Sequence, residues 1–242
     1  LLISMVYLLY KEDITKVLPI CRAIEVFHNF TLLHDDIMDK APLRRGKETV
    51  YKKWSENIAI LSGDVMLVQA YQHLQKIYSN KLSVILDVFN KGAIKVCEGQ
   101  QFDMQFETSE DVSTEQYINM IYLKTAALLD HSVEMAAIYA DASEKDIAHL
   151  KEFAKNIGIA FQLKDDLLDV YGDASKFGKQ VGGDILADKK TYLLLKAKEL
   201  SNQSQSEIIN FWIGNNNNPT KKVAEITSIF NDLEISKITN IL

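Results

Sequence analysis

The sequence predicts an all-α protein, a large single-domain helical bundle over residues 1–242 with a deep centre. Three observations predict it. Apolar residues recur at helical spacing along most of the chain. Three prolines and ten glycines leave little turn chemistry for a β fold. Several helix-patterned segments run to roughly 20–28 residues, longer than the usual helix, and such lengths need a large bundle to bury them.

The opening LLISMVYLLY is apolar and reads as the middle of a helix, so Leu1 is expected to lie inside a longer chain. Ile14, Val17, Leu18, Ile24, Phe27, Thr31 and Leu32 approximate one buried face of the next helix, with Pro19 near its start or at a kink. That helix carries LLHDDIMD, residues 32–39, and stops in KAPLRRGKETV, where Pro42 and Gly46 break it. Further helices are predicted over about 57–79, 83–107, 114–140 and 143–171. The third of these starts in a capping-box pattern, Ser113-Thr114-Glu115-Gln116. KFGKQVGGDILADKK, residues 176–190, has three glycines and no apolar period and reads as a loop. A helix follows from about 189 to 200, and NNNNPT is a polar turn whose Pro219 starts the next one. No short-period repeat and no linker divides the chain.

Composition excludes some functions. A net charge of −6 and a pI near 5.4 argue against a nucleic-acid groove. No apolar run reaches the ~20 residues of a transmembrane helix. Cys21 and Cys97 lie far apart and outside any CxxC pattern, so they read as buried free thiols of a reducing, cytoplasmic setting.

The chemistry concentrates in aspartates. Adjacent carboxylates repel, and the apolar Leu32, Leu33, Ile37 and Met38 around them make desolvation costly, so an opposite charge is called for. On a helix Asp35 and Asp39 lie ~40° apart, with Asp36 about 100° from the first. QLKDDLLD repeats the spacing at Asp165, Asp166 and Asp169. With eighteen aspartates in the chain, chance supplies roughly 0.1 DDxxD matches, so two are a strong signal. Hard oxygen ligands without thiolate suit Mg²⁺, which keeps waters and shares substrate phosphates. A solvated acidic helix edge is the bland alternative, and the flanking apolar residues speak against it. Two of the chain's three arginines, Arg44 and Arg45, follow the first triad. Guanidinium groups bind phosphate oxygens bidentately, although an exposed loop pair would look the same.

With these residues the chain resembles the trans-prenyl diphosphate synthases, which condense isopentenyl diphosphate with an allylic diphosphate. The matching segments are EVFHNFTLLHDDIMDKAPLRRGKETV, SGDVML, EGQQFDM, YLKTAAL and FQLKDDLLDVYGDASKFGKQVGGDILADKKTYL, within residues 25–193. The resemblance implies an isoprenoid-synthase-like homodimer whose helices surround a central cavity. It implies Mg²⁺ at Asp35, Asp39 and Asp165, supported by Asp36, Asp166 and Asp169, with three ions when substrate is bound. It implies that Arg44, Lys124, Thr125, Gln162, Lys179 and Lys189 bind the allylic diphosphate, and His28 and Arg45 the isopentenyl diphosphate. Gln100 and Asp103 match a supporting pair in mid-cavity. The family's basic GGKxxRP segment should precede Leu1 and is not in this sequence, as expected if Leu1 lies inside a longer chain.

Some of these residues have plainer readings. His28 could be a satisfied core histidine, Lys124 a solvated lysine, and Lys189 and Lys190 a cover for a helix start. Phe153, Phe161 and Tyr171 read as core. Product length is expected to be set below Asp35, by Phe30 five residues back and Phe27 eight back, ~7.5 and ~12 Å down the axis. Thr31 stands at the fourth position, where an aromatic would mark a fifteen-carbon product in the resembling family. This favours twenty carbons, geranylgeranyl diphosphate, over farnesyl diphosphate. Other readings are a terpene cyclase, whose second motif is a mixed Asn/Ser/Glu one, and a non-catalytic prenyl-diphosphate-binding subunit, which would have lost a motif. A di-iron bundle needs two ExxH motifs, whereas only Glu25-Val26-Phe27-His28 is present, the other candidate starting at Asp146 before His149.

Overall fold

The computed structural model describes residues 1–109, 111–172 and 182–242. In order it holds α1 (Leu2–Leu8), a 3₁₀ turn (Ile14–Val17), α2 (Leu18–Met38), a hairpin of β1 (Leu43–Arg44) and β2 (Lys47–Glu48), and α3 (Val50–Lys53). Then come α4 (Glu56–Leu74), α5 (Leu82–Thr108), α6 (Thr114–Ile121), a π-turn (Tyr122–Ala126), α7 (Ala127–Tyr139) and α8 (Glu144–Tyr171). The chain continues with α9 (Gly183–Leu186), α10 (Tyr192–Leu200), α11 (Gln203–Trp212), α12 (Pro219–Asp232) and α13 (Ile235–Ile241). The all-α expectation holds, the two-residue strands being a local turn device.

The chain divides into two compact units, one of Leu1–Lys95 with Leu128–Lys155, the other of Val96–Ala127 with Asn156–Leu242. In the first, α2 packs along α4. Pro19 sits in the first turn of α2, where the missing N–H is harmless, so it starts the helix rather than kinking it. Beneath the aspartates, Phe27 meets Phe89 edge-on at 5.3 Å, and Phe89 meets Tyr71 likewise at 5.2 Å. Gly63 of SGDVML lies where a Cβ would overlap the His34 imidazole, so glycine leaves room for that ring where α4 approaches α2.

In the second unit, Leu167, Val170, Leu193, Ile209, Trp212, Ile226 and Phe230 form one apolar core. Tyr117, Met120, Ile121, Leu163, Tyr192 and Leu195 form another. The Ser113–Gln116 capping box opens α6 as expected. Asn218 caps α12 ahead of Pro219, and its side chain accepts from Lys221 N at 3.1 Å.

Several boundaries differ from the sequence reading. The helix expected over 114–140 is interrupted by the π-turn, where Ala127 N–H bonds back to Tyr122 O. Helix α4 stops at Leu74, short of 79, and α10 starts at Tyr192, later than 189, after a Thr191 N-cap. Of the loop expected over 176–190, residues 176–181 lie outside the described residues, and Gly183–Leu186 form a helical turn. Cys21 and Cys97 are free as expected, but neither is fully buried: Cys21 is half-buried and Cys97 exposed. Phe153 and Phe161, read as core, are exposed, as is Tyr171 to a lesser degree.

Candidate active site

Both aspartate triads occupy the C-terminal turns of their helices. Asp35 and Asp36 lie in the last turn of α2 and Asp39 is its C-cap. Asp165, Asp166 and Asp169 lie in the last two turns of α8. The helix dipole is negative at that end, so carboxylates are disfavoured there and cations favoured. In each triad the second aspartate is buried, Asp36 at 5% and Asp166 at 4% exposure. Asp39 and Asp165 are exposed, and Asp35 and Asp169 are intermediate.

The first triad is served by the hairpin. Arg45 and Gly46 form its two-residue loop, both with positive φ (53° and 75°), the primed-turn geometry that suits a tight hairpin. The turn swings Arg44 back onto α2, where Nε donates to Asp36 Oδ1 at 2.6 Å and Nη2 to Asp35 Oδ2 at 2.9 Å. Arg45 stays exposed at the tip. His28 is half-buried; burial chiefly pushes its pKa below the usual histidine value, Glu25 opposes this, and Arg45 and Arg44 reinforce it. His34 lies 3.2 Å from Ile60 O through Nε2. Phe27 is buried and Phe30 half-buried, its ring tilted against Phe27 and edge-on to His34. Thr31 turns its hydroxyl onto His28 O at 2.8 Å.

In the second unit the π-turn carries Lys124 and Thr125. Gly99 of α5 admits it closely, since a Cβ there would meet Leu123 C and Lys124 Cα at 2.6 Å. Lys124 Nζ donates to Asp103 Oδ2 at 2.6 Å. Thr125 Oγ1 donates to Gln162 Oε1 at 3.3 Å, and Gln162 Nε2 reaches Asp166 Oδ1 at 3.4 Å. Gln100 Nε2 is buried without a hydrogen-bond partner among the described residues. Burial foremost pushes the Asp166 carboxyl up to about 7; the Tyr117 hydrogen bond opposes it and the Asp184 charge adds to it. Asp169 is fixed by backbone: Asp184 N donates to its Oδ2 at 3.0 Å and Gly182 N to its carbonyl at 2.7 Å. Lys189 is exposed and opposes the rise at Asp166 by its positive charge. It follows Asp188, which the buried Lys222 holds at 2.6 Å. Lys190 does not cover a helix start; it caps the end of α5, donating to Phe106 O at 2.5 Å and Glu107 O at 3.1 Å. Lys179 lies outside the described residues.

Sequence reasoning missed Tyr117, whose hydroxyl donates to Asp166 Oδ2 at 2.6 Å. It also missed Gly182 and Asp184, whose turn closes on Asp169. The glycine pair Gly182-Gly183 was the available signal, for φ is +79° at Gly182. The donor set fits Mg²⁺. Among the described residues no three His, Cys, Asp or Glu surround one point. One or two carboxylates per ion, with waters and phosphate oxygens completing the octahedron, is how Mg²⁺ is commonly held.

Two carboxylate clusters on an all-α scaffold, one of them forked by an arginine, fit the class of enzymes that act on phosphorylated substrates. The polyprenyl synthetase model matches residues 1–231. A short chain isoprenyl diphosphate synthase of Methanocaldococcus jannaschii is 42% identical, over 92% of this chain and 68% of that one. A geranylgeranyl diphosphate synthase of Sulfolobus acidocaldarius is 40% identical, over 80% of this chain and 60% of that one. The chain thus spans roughly three-fifths to two-thirds of these relatives' length. A crystal structure of geranylgeranyl pyrophosphate synthase superposes with a TM-score of 0.91 at 43% identity, covering 98% of this chain and 74% of that one. The chain belongs to the polyprenyl synthetase family, the trans-prenyltransferases of isoprenoid biosynthesis.

Proposed function

We propose that the protein containing this chain condenses isopentenyl diphosphate with an allylic diphosphate, head to tail, to give geranylgeranyl diphosphate, with farnesyl diphosphate as the shorter alternative. The observation that carries this reading is the placing of both aspartate triads at the negative ends of helices, each with one buried carboxylate and others more accessible. Such clusters demand cations, and an oxygen-only donor set suits a hard cation such as Mg²⁺. Asp35, Asp39 and Asp165 are the ligands in this reading, with Asp36, Asp166 and Asp169 supporting and three ions present with substrate. When bound, Mg²⁺ supplies charge neutralisation on the leaving diphosphate.

The side chains do the rest. Arg44, Lys124, Lys189 and Lys179 add positive charge where the allylic carbon–oxygen bond breaks and its electron pair departs with the diphosphate. Thr125 and Gln162 orient that diphosphate. His28 and Arg45 hold isopentenyl diphosphate, whose alkene attacks the allylic cation to form the carbon–carbon bond. Loss of a proton to the departed diphosphate restores a double bond. Gln100, with its buried unpaired amide, and Asp103 support the mid-site, Asp103 by anchoring Lys124. The reaction also needs water kept away from the cation, which it would quench.

A homodimer is the assembly supported by α4, whose exposed Ile58, Leu61, Val65 and Val68 follow one helical stripe. A cytoplasmic location goes with the two free thiols. Among the described residues no helix is long and apolar enough to cross a membrane. The test is incubation of purified protein with Mg²⁺, isopentenyl diphosphate and each allylic primer, with products sized by chromatography. Elongation that falls by orders of magnitude in Asp35→Ala and Asp165→Ala, with helical content intact, is the expected result. Near-normal turnover in either variant rules the reading out.

A further inference from the structure

Tyr117 is 2% exposed and stands in the first half of α6, held from below by Met120, Ile121, Leu163, Tyr192 and Leu195. A buried phenol needs an acceptor, and a backbone carbonyl would serve without burying a charge. Tyr117 instead takes a carboxylate of the second aspartate motif, at 2.6 Å. Burial and the neighbouring Asp166 raise the phenol well above its ordinary range, so it stays protonated and acts as the donor. Asp166 is engaged on both oxygens, Oδ2 by Tyr117 and Oδ1 by Gln162. Gln162 in turn accepts from Thr125 in the π-turn.

We propose that Tyr117 is a positioning residue for the second aspartate cluster, its hydroxyl clamping Asp166 so that α8 is held in the rotation that presents Asp165 and Asp169. Helix geometry supplies the link. Asp165 and Asp169 lie ~40° apart, and Asp166 about 100° from Asp165, so a clamp on Asp166 leaves the other two directed elsewhere. This inference rests on the metal-binding reading of that cluster. It adds a residue from a different helix, which acts through Asp166 and touches neither metal nor substrate.

The test is Mn²⁺ binding, followed by the loss of the free-ion electron paramagnetic resonance signal, in purified protein with inorganic pyrophosphate. Tyr117→Phe should weaken Mn²⁺ binding about tenfold, as loss of an outer partner does, with circular dichroism unchanged. Asp165→Ala should weaken it further, and Tyr117→Phe combined with Asp165→Ala should lose less than the two single losses multiplied together, because the clamp acts partly through Asp165. Asp166→Asn keeps an acceptor for the Tyr117 hydroxyl and should be milder than Asp165→Ala. Unchanged Mn²⁺ affinity in Tyr117→Phe, with only a lower melting temperature, would make Tyr117 an ordinary core residue and overturn the proposal. Asp166→Asn as damaging as Asp165→Ala would make Asp166 itself the ligand and overturn it too. Full affinity in Asp165→Ala would instead sink the metal reading, and the clamp with it.

Discussion

Arg44 forks across two neighbouring carboxylates, Nε on Asp36 and Nη2 on Asp35, at 2.6 and 2.9 Å. Asp36 is buried at the negative end of α2, so this guanidinium supplies much of the charge balance that keeps the turn folded. Arg44→Lys keeps the charge and loses the fork. Stability should fall by about 1.5–3 kcal/mol, the range for a hydrogen bond to a charged group. That corresponds to several degrees in melting temperature for a chain of this size. The KM for the allylic diphosphate should rise at the same time. Wild-type melting together with a wild-type KM in Arg44→Lys would show that the fork matters to neither.

Gly99 sets how near α5 can come to the π-turn. A methyl group there meets main-chain atoms of Leu123 and Lys124, which have no rotamer to yield with. Gly99→Ala should therefore push the π-turn outward and stretch the 2.6 Å Lys124–Asp103 pair. Overpacking of this kind amounts to about 1–3 kcal/mol, readable as a lower denaturation midpoint together with weaker diphosphate binding. Gly63→Ala, which meets the side chain of His34, should be milder because an imidazole can turn away.

The legible parts of the sequence were those written in local chemistry. The ends of α5 and α8 fall within one residue of expectation, and the capping box at Ser113 and Pro219 at the start of α12 are where the sequence puts them. The π-turn was not legible, since one extra residue inside a helix leaves the apolar period nearly intact on either side. Pro42 and Gly46 read as the helix stop, while the use of Gly46 in a hairpin loop that turns Arg44 back onto Asp35 and Asp36 is a tertiary arrangement with no local signature. Tyr117 was invisible because an aromatic on an apolar helix face looks the same whether or not its hydroxyl meets a functional carboxylate. Phe161, placed next to Gln162 in a motif, looked like core from its type alone, yet it is exposed.

His28 gives a pH-dependent test. Its folded pKa lies below 6.5, burial being the main cause, so the unfolded chain binds its proton first as pH falls. Its contribution to stability is complete above 6.5 and declines between 6.5 and the folded value. His28→Gln should flatten that part of the melting-temperature profile relative to wild type. A nuclear magnetic resonance titration placing His28 at or above 6.5 would contradict the burial argument.

Product length should respond differently at the two phenylalanines. Phe27 is 1% exposed and locked edge-on against Phe89, which leans on Tyr71 in turn. Phe30 is half-buried and touches the Phe27 and His34 rings. Truncating Phe27 opens the cluster and should destabilise by about 3–5 kcal/mol, the range for a buried phenylalanine. Truncating Phe30 should leave folding nearly intact. If Phe30 ends growth, Phe30→Ala alone lengthens the product by isoprene units. If the floor is the ring cluster, Phe30→Ala leaves the profile unchanged and Phe27→Ala shifts it towards longer chains at low temperature, where the variant stays folded. Thr31 spends its hydroxyl on His28 O, so Thr31→Phe would fill the space above both rings and should shorten the product to fifteen carbons. Chromatographic sizing of the three variants decides between the two floors, and an identical profile in all three would remove α2 as the ruler.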